Sequence, residues 1–278
     1  MFVIITRFSV ITKSLSTSWR AGRQDFETYK KTILDEERLK LHLQIFFNYT
    51  IPVIKKKSKD YPILHVIVAS ALLPEWVKEK LDELGKSDVF KVVYLQPEDE
   101  FSFVEISKDA CMSLMKRSSK NKRKTQIAVM RLDDDDILSE MVFDRLNEFL
   151  SPSFAGFCVS FPRGYAGFFS SEKYTKFAEL YAPKNAQGLA YIAEYNAEIN
   201  AFDTKYMFIP GNHTLVDYRT PTILDASFYA YIRTYHGQND VLYGYDNEKS
   251  NMVLKRIFKD IVEIDDVKKS FSVIDIEK

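Results

Sequence analysis

Residues 126–138, QIAVMRLDDDDIL, decide how the rest of the chain is read. Ile127, Ala128, Val129 and Met130 form the short apolar run of a fully buried strand. Arg131 and Leu132 close it, and four carboxylates follow without a break: Asp133, Asp134, Asp135 and Asp136. Ile137 and Leu138 return to apolar, after which Ser139 is the expected cap of a helix over residues 141–150. Four adjacent Asp side chains repel one another, and a turn gains nothing from them that one would not supply. A divalent cation relieves that repulsion, because hard oxygen ligands suit Mg²⁺ or Mn²⁺. A solvated acidic turn is the plain alternative. Against it, the run sits directly on a buried strand in mid-chain. The carboxyl ends of central strands are where open α/β sheets bind ligands.

Composition narrows the classes. At 278 residues the chain can form one large α/β domain or two small ones, with a substantial core. A hydrophobic share of 46% and a charged share of 28% are those of a globular protein. Lys plus Arg equals Asp plus Glu at 39 each, so no net field favours nucleic acid. The 21 Phe and 16 Tyr serve a large core before they serve as sugar-stacking platforms. Two cysteines, Cys111 and Cys158, make neither a disulfide framework nor a metal pattern, which fits a reducing compartment. The first residues, MFVIITRFSVITKSL, carry Arg7 inside the apolar run and no small-residue cleavage site. They read as a first strand rather than a signal peptide. No stretch reaches the roughly 20 apolar residues of a spanning helix.

Taken in order, residues 2–5 are a short strand that ends in Thr6, Arg7, Phe8 and Ser9. Arg7 is placed either to meet nucleotide phosphates or to pair with an acidic neighbour. A Trp-Arg element follows at 18–23, either a solvated basic loop or two Arg that near a phosphate site would supply bidentate charge. Residues 35–54 keep an apolar stripe at helical spacing through Leu39, Leu43, Phe46 and Phe47, with Pro52 and the lysines at 55–57 ending the element. His42, within the stripe, reads as structural. Residues 63–69 form a second buried strand with Ser70 at its tip, a second candidate for the nucleotide site. A helix at 74–84 and a strand at 90–95 follow, and then a helix at 107–120 that runs into the basic tract 116–124. That tract is either a solvated linker or a patch for an anionic membrane surface or acidic polymer. The alternation over residues 1–150 is the βαβ pattern of a parallel sheet. Neither a Gly-x-Gly-x-x-Gly loop nor a phosphate-cradling GKS or GKT loop occurs, which disfavours dinucleotide redox chemistry and NTPase action. Beyond 150, short aromatic runs at 154–161, 165–170 and 190–195 suit an antiparallel extension of the main sheet. Asp225 precedes an apolar-periodic run, 226–235, and so is expected at a helix start, with His236 just past its end.

The string RLDDDDIL at 131–138 resembles the hallmark of a bacterial rhamnosyltransferase family. Asp133-x-Asp135-Asp136 is similar to the DxDD motif with which GT-A glycosyltransferases hold a metal and a sugar nucleotide. Two further segments are similar to the family's pattern, Arg7-Phe8-Ser9 and His236-Gly237-Gln238-Asn239, and the Trp-Arg element resembles one of its features. The resemblance covers most of the chain in outline. It implies a GT-A fold: a mostly parallel central sheet with helices on both faces and a smaller antiparallel C-terminal extension. It implies a single domain over 1–278, with the donor held by 1–140 and the acceptor by 141–278. Asp133 then bonds the ribose, Asp135 holds the metal with Asp136 in support, and His236 completes the metal sphere. Thr6, Arg7, Phe8, Ser70, Arg131 and Asp134 line the nucleotide. Asp225 stands where inverting enzymes of this kind place their base, with Glu194 and Asp217 as rivals.

The activity so implied is transfer of a sugar, rhamnose by the family label, from a dTDP-, UDP- or GDP-sugar to a hydroxyl of a glycan or other acceptor. Mn²⁺ or Mg²⁺ is the implied cofactor, and a cytoplasmic location, at the inner face of the membrane or free of it, would fit. Two other readings compete. A haloacid-dehalogenase-like phosphatase also places Asp-x-Asp after a buried strand, but that chemistry opens its chain and has Thr or Val where Ile137 stands. A carbohydrate-binding or scaffold protein that lost turnover would have no use for the intact Asp run.

Overall fold

The first strand, β1 (Phe2–Phe8), is buried on both faces, as a Phe-Val-Ile-Ile run must be at the centre of a parallel sheet. This computed structural model describes residues 1–13, 25–117, 123–237 and 247–275. The Trp-Arg element at 18–23, the middle of the basic tract at 118–122, and Gln238 and Asn239 lie outside the described residues.

After β1 come helices α1 (Phe26–Ile33), α2 (Glu36–Ile45) and α3 (Ile51–Lys57), strand β2 (Ile63–Ser70), α4 (Glu75–Gly85), β3 (Phe90–Leu95), α5 (Phe103–Arg117) and β4 (Lys124–Asp133). β1 pairs in parallel with β2 and with β4, and β2 pairs in parallel with β3. Alternation along β1 sorts the helices. Phe2, Ile4 and Phe8 share a core with residues of α2, α3 and α4, while Val3 and Ile5 share another with Ala110, Cys111 and Leu114 of α5. Asp25 and Asp35 start α1 and α2 by accepting the backbone N–H groups of Thr28 and Arg38.

Pro52 and the lysines at 55–57 are expected from sequence to end this helix; the lysines do end it, but Pro52 does not. Residues Phe46–Thr50 form a wider π-type turn that joins α2 to α3, and the helical run continues to Lys57. The ring of a proline inside a helix removes one hydrogen bond and crowds the preceding turn, and a π-type turn makes room for it.

Past β4 the chain builds β5 (Ile137–Leu138), α6 (Met141–Glu148), β6 (Cys158–Ser160), β7 (Arg163–Ser170), β8 (Lys173–Tyr181), β9 (Ala190–Asn196), β10 (Ala201–Phe202), β11 (Thr222–Leu224), β12 (Tyr231–Tyr235), α7 (Asn247–Ile257), β13 (Ile261–Val262) and α8 (Ile264–Ser270). Among the described residues the main sheet runs β11-β6-β9-β4-β1-β2-β3, with β10 beside β9, and β9 is antiparallel to β4 and to β6. The later strands only partly extend that sheet. β13, β8, β7, β12 and β5 make a second sheet of their own. The Asp run is therefore the bridge between the two sheets, with β4 before it and β5 directly after. A second correction concerns residues 226–235: Tyr231–Tyr235 is a strand, parallel to β7 and antiparallel to β5, and no helix starts at Asp225. A buried Tyr-Ile-x-Thr-Tyr run carries β-branched and aromatic residues that a two-sided strand accommodates as readily as a helix. Among the described residues no helix is long and apolar enough to cross a membrane.

Candidate metal and nucleotide site

β4 delivers the four carboxylates at the carboxyl edge of the parallel strands, and a tight turn closed by the Asp136 N–H donating to the Asp133 carbonyl sends them in different directions. Asp133 lies between two guanidiniums, with Arg7 Nη2 3.5 Å from one carboxyl oxygen and Arg131 Nη2 3.2 Å from the other. β1 and β4 pair with Arg7 opposite Asp133, which puts those groups side by side. Burial alone would raise the Asp133 pKa, but Arg131 and Arg7 outweigh it and hold the carboxyl below its ordinary value. Burial in turn draws Arg7 down to about 10, with Asp133 opposing, and the ring of Phe103 lies 5.4 Å from its guanidinium carbon.

Asp135 meets a residue 101 positions further on: His236 Nε2 lies 3.2 Å from Asp135 Oδ2. His236 stands directly after β12, whose pairing with β5 ties it to the end of the Asp run. A third group joins from α2. One ligand atom each from His42, Asp135 and His236 lie within 4.8 Å of one another, two imidazole nitrogens and one carboxylate oxygen. His42 is buried, and its Nε2 has no hydrogen-bond partner. That donor set, with a buried nitrogen left unused, fits a divalent cation.

The other sequence-derived candidates are placed elsewhere. Asp134 faces helix α2, with His42 Nδ1 3.0 Å from its Oδ1. Burial lifts Asp134 to about 6 against the opposing charge of Arg38. Asp136 is not part of the His42, Asp135 and His236 cluster: the Thr234 N–H donates to its Oδ1 at 3.1 Å and the Gln187 amide donates to its Oδ2. Burial, reinforced by Asp135 and Asp133, pushes Asp136 well above the usual carboxylate range. Thr6 and Phe8 sit on the other face of β1 from Arg7. The Thr6 hydroxyl bonds His65 Nε2 at 2.8 Å, and Phe8 packs on Phe46 in the core. Ser70 is buried at the tip of β2, where its hydroxyl accepts the Leu72 N–H at 3.1 Å. Strand alternation explains Thr6 and Phe8, since only every second side chain can reach one face, whereas Ser70 shares the face of Val68 and Arg7 and is occupied by its own turn.

Asp225 lies in an Asx turn, not at a helix start. Ser227 donates its N–H and hydroxyl to Oδ1 at 3.0 and 2.6 Å, and Arg145 donates to Oδ2 at 3.1 and 2.9 Å. Burial would raise Asp225, but these donors outweigh it and hold it below its ordinary value. Of its rivals, Glu194 is tied to Lys124 and Gln126 at the start of β4, the opposite edge of the sheet from Asp133. Asp217 accepts from Lys184, at 2.8 and 2.9 Å.

Sequence reasoning read His42 as structural and passed over Arg38 and Gln187. The charge of Arg233 is felt by Asp136, and Arg233 in turn feels Asp136, Asp135 and Asp133. The one available hint at His42 was a polar residue on an otherwise apolar helical stripe.

Solved structures similar to this chain include S. aureus TarS 1-349 in complex with UDP-GlcNAc, with a TM-score of 0.39 at 10% identity. That match covers 92% of this chain, which spans 65% of the TarS chain. A nucleoside-diphosphate-sugar pyrophosphorylase from Vibrio cholerae RC9 is similar with a TM-score of 0.36 at 15% identity, covering 82% of this chain and 93% of its own. Likenesses of that score carry no weight in reading the site. No curated protein matches the sequence. The family model described as "Putative rhamnosyl transferase" matches residues 1–243, and the chain belongs to that family of glycosyltransferases.

Proposed function

We propose that the protein is a metal-dependent glycosyltransferase of GT-A type that moves a sugar, rhamnose by its family's description, from a nucleoside-diphosphate sugar to an acceptor hydroxyl. The observation that carries this reading is the meeting of Asp135 and His236 at 3.2 Å, beside an Arg7–Asp133–Arg131 cluster, at the carboxyl edge of a parallel sheet. On this reading residues 1–140 hold the donor and 141–278 the acceptor.

Asp133, kept ionised by its two guanidiniums, accepts hydrogen bonds from the ribose hydroxyls. Arg7 and Arg131 keep positive charge close to the diphosphate, where a planar guanidinium matches phosphate oxygens. Asp135 and His236 hold the cation. When bound, that ion supplies charge that stabilises the departing nucleoside diphosphate. Asp136 acts as the support of this arrangement, because its bonds to Thr234 and Gln187 fix the turn from which Asp135 projects.

Calorimetric titration of UDP, dTDP and GDP, each with and without Mn²⁺, tests the reading. One nucleotide should bind in a metal-dependent way, and Asp135→Ala should abolish both that binding and transfer while the fold persists. Binding of none of the three in the presence of metal, or turnover retained in Asp135→Ala, would overturn it.

A further inference from the structure

We infer that His42, on helix α2, is a third protein ligand of the cation, held in place by Asp134, so that the site takes an imidazole-accepting divalent ion such as Mn²⁺ or Co²⁺ in preference to Mg²⁺ and takes it without nucleotide. The inference rests on the reading that Asp135 and His236 hold the cation, and adds to it a ligand, a positioning residue and a metal preference.

Four observations support it. His42 is almost entirely buried, yet neither of its ring nitrogens makes a hydrogen bond, although buried imidazole nitrogens normally make one. Its ring stands edge-on to that of His236, with centroids 5.2 Å apart and planes at 82°. Two buried imidazoles in such contact, each with a nitrogen within 4.8 Å of the other's and of a carboxylate oxygen of Asp135, share a point at which one ion reaches all three. The fourth observation is Asp134. His42 Nδ1 lies 3.0 Å from its Oδ1, which leaves Nε2 as the nitrogen for the ion. A carboxylate behind the far nitrogen of a ligating histidine sets its tautomer and raises its basicity.

This also accounts for why the run holds four carboxylates. Asp133 serves the guanidiniums, Asp135 the ion, Asp136 the turn, and Asp134 the histidine of a helix more than 90 residues earlier in the chain. Two nitrogens and one oxygen form a donor set that Mg²⁺, with its demand for oxygen ligands, fits poorly and that Mn²⁺ and the later divalent ions accept. Three protein ligands are enough to retain an ion with no nucleotide present.

Pulsed electron paramagnetic resonance of Mn²⁺ added to the whole chain without nucleotide is the test. The modulation from directly bound ¹⁴N should correspond to two imidazoles in the wild-type protein and to one in His42→Gln. Titration should show Mn²⁺ bound at least about tenfold more tightly than Mg²⁺, and Asp134→Asn should lower Mn²⁺ affinity by about 10- to 100-fold while both nitrogens stay bound. The wild-type nitrogen count decides the matter even if a variant fails to fold. One nitrogen, or equal affinity for Mg²⁺ and Mn²⁺, overturns the role of His42 and leaves the cation at Asp135 and His236. No bound Mn²⁺ even with a nucleoside diphosphate present overturns both.

Discussion

At the scale of single residues, identical side chains in the Asp run and beyond it have different work because their neighbours differ. Asp133 is held ionised between Arg7 and Arg131, whereas Asp136 is shut in by an amide, a backbone N–H and two other carboxylates. Asp225 is a third case, a carboxylate whose charge is already matched by Arg145 and Ser227. A group so bound is a poor proton acceptor. Asp225→Asn keeps an oxygen for Ser227 and loses the charge opposite Arg145. Unfolding in urea should show a loss of about 1–2 kcal/mol, and the transfer rate should stay within about threefold of wild type. A fall in kcat of about 10² or more with unchanged stability would instead make Asp225 the base.

At the scale of elements, the position of His236 depends on how closely β12 can approach β7. Gly164 and Gly167 in β7 make that approach possible. A Cβ on Gly164 would lie 2.6 Å from the Tyr231 ring and carbonyl oxygen, and one on Gly167 would lie 2.7 Å from Ile232. Tyr231 and Ile232 are the residues that pair with Leu138 and Ile137 at the end of the Asp run. Gly164→Ala should therefore push β12 away from β7, cost about 1–3 kcal/mol, and weaken Mn²⁺ binding although it touches no ligand. Thermal unfolding and metal titration of the one variant check the two effects together. Unchanged metal affinity in a destabilised Gly164→Ala would show that β5, not β7, positions His236.

At the scale of the whole molecule, acid sensitivity follows from histidines buried in the neutral form. Burial takes His65 from an ordinary 6.5 down to about 3, between the rings of Phe46 and Phe90. Between those values the unfolded chain binds a proton that the folded chain refuses, so stability is unaffected above about pH 6.5 and falls as pH drops below it. The slope contributed is at most about 1.4 kcal/mol per pH unit. Buried His42, also pushed well below its ordinary value by burial and by Arg38, acts in the same sense. Urea midpoints taken from pH 7 down to pH 4 should decline less steeply in His65→Gln, where the amide can still bond the Thr6 hydroxyl, than in the wild type. Equal slopes would place the acid sensitivity elsewhere.

Up to residue 133 the order of strands and of most helices was legible from the chain alone, because apolar runs bounded by polar breaks report burial locally; α1 was not read, and α2 and α3 were read as one helix. The Asp run also stood out as a candidate ligand site, because four adjacent charges on a buried strand are unfavourable unless something meets them. His236 was reachable only through the resemblance of its segment to a family pattern, and β12 beneath it was misread as a helix because a five-residue aromatic run has no distinctive period. Which face each residue takes was not legible either: Thr6 and Phe8 flank Arg7 in sequence yet point into the core. Sequence alone determined that a strand ends in four carboxylates needing partners. The tertiary structure alone decided which partner each one meets, because Arg7, His42, Gln187 and His236 come from four separate segments, and only the packing of two sheets and helix α2 brings them to one turn.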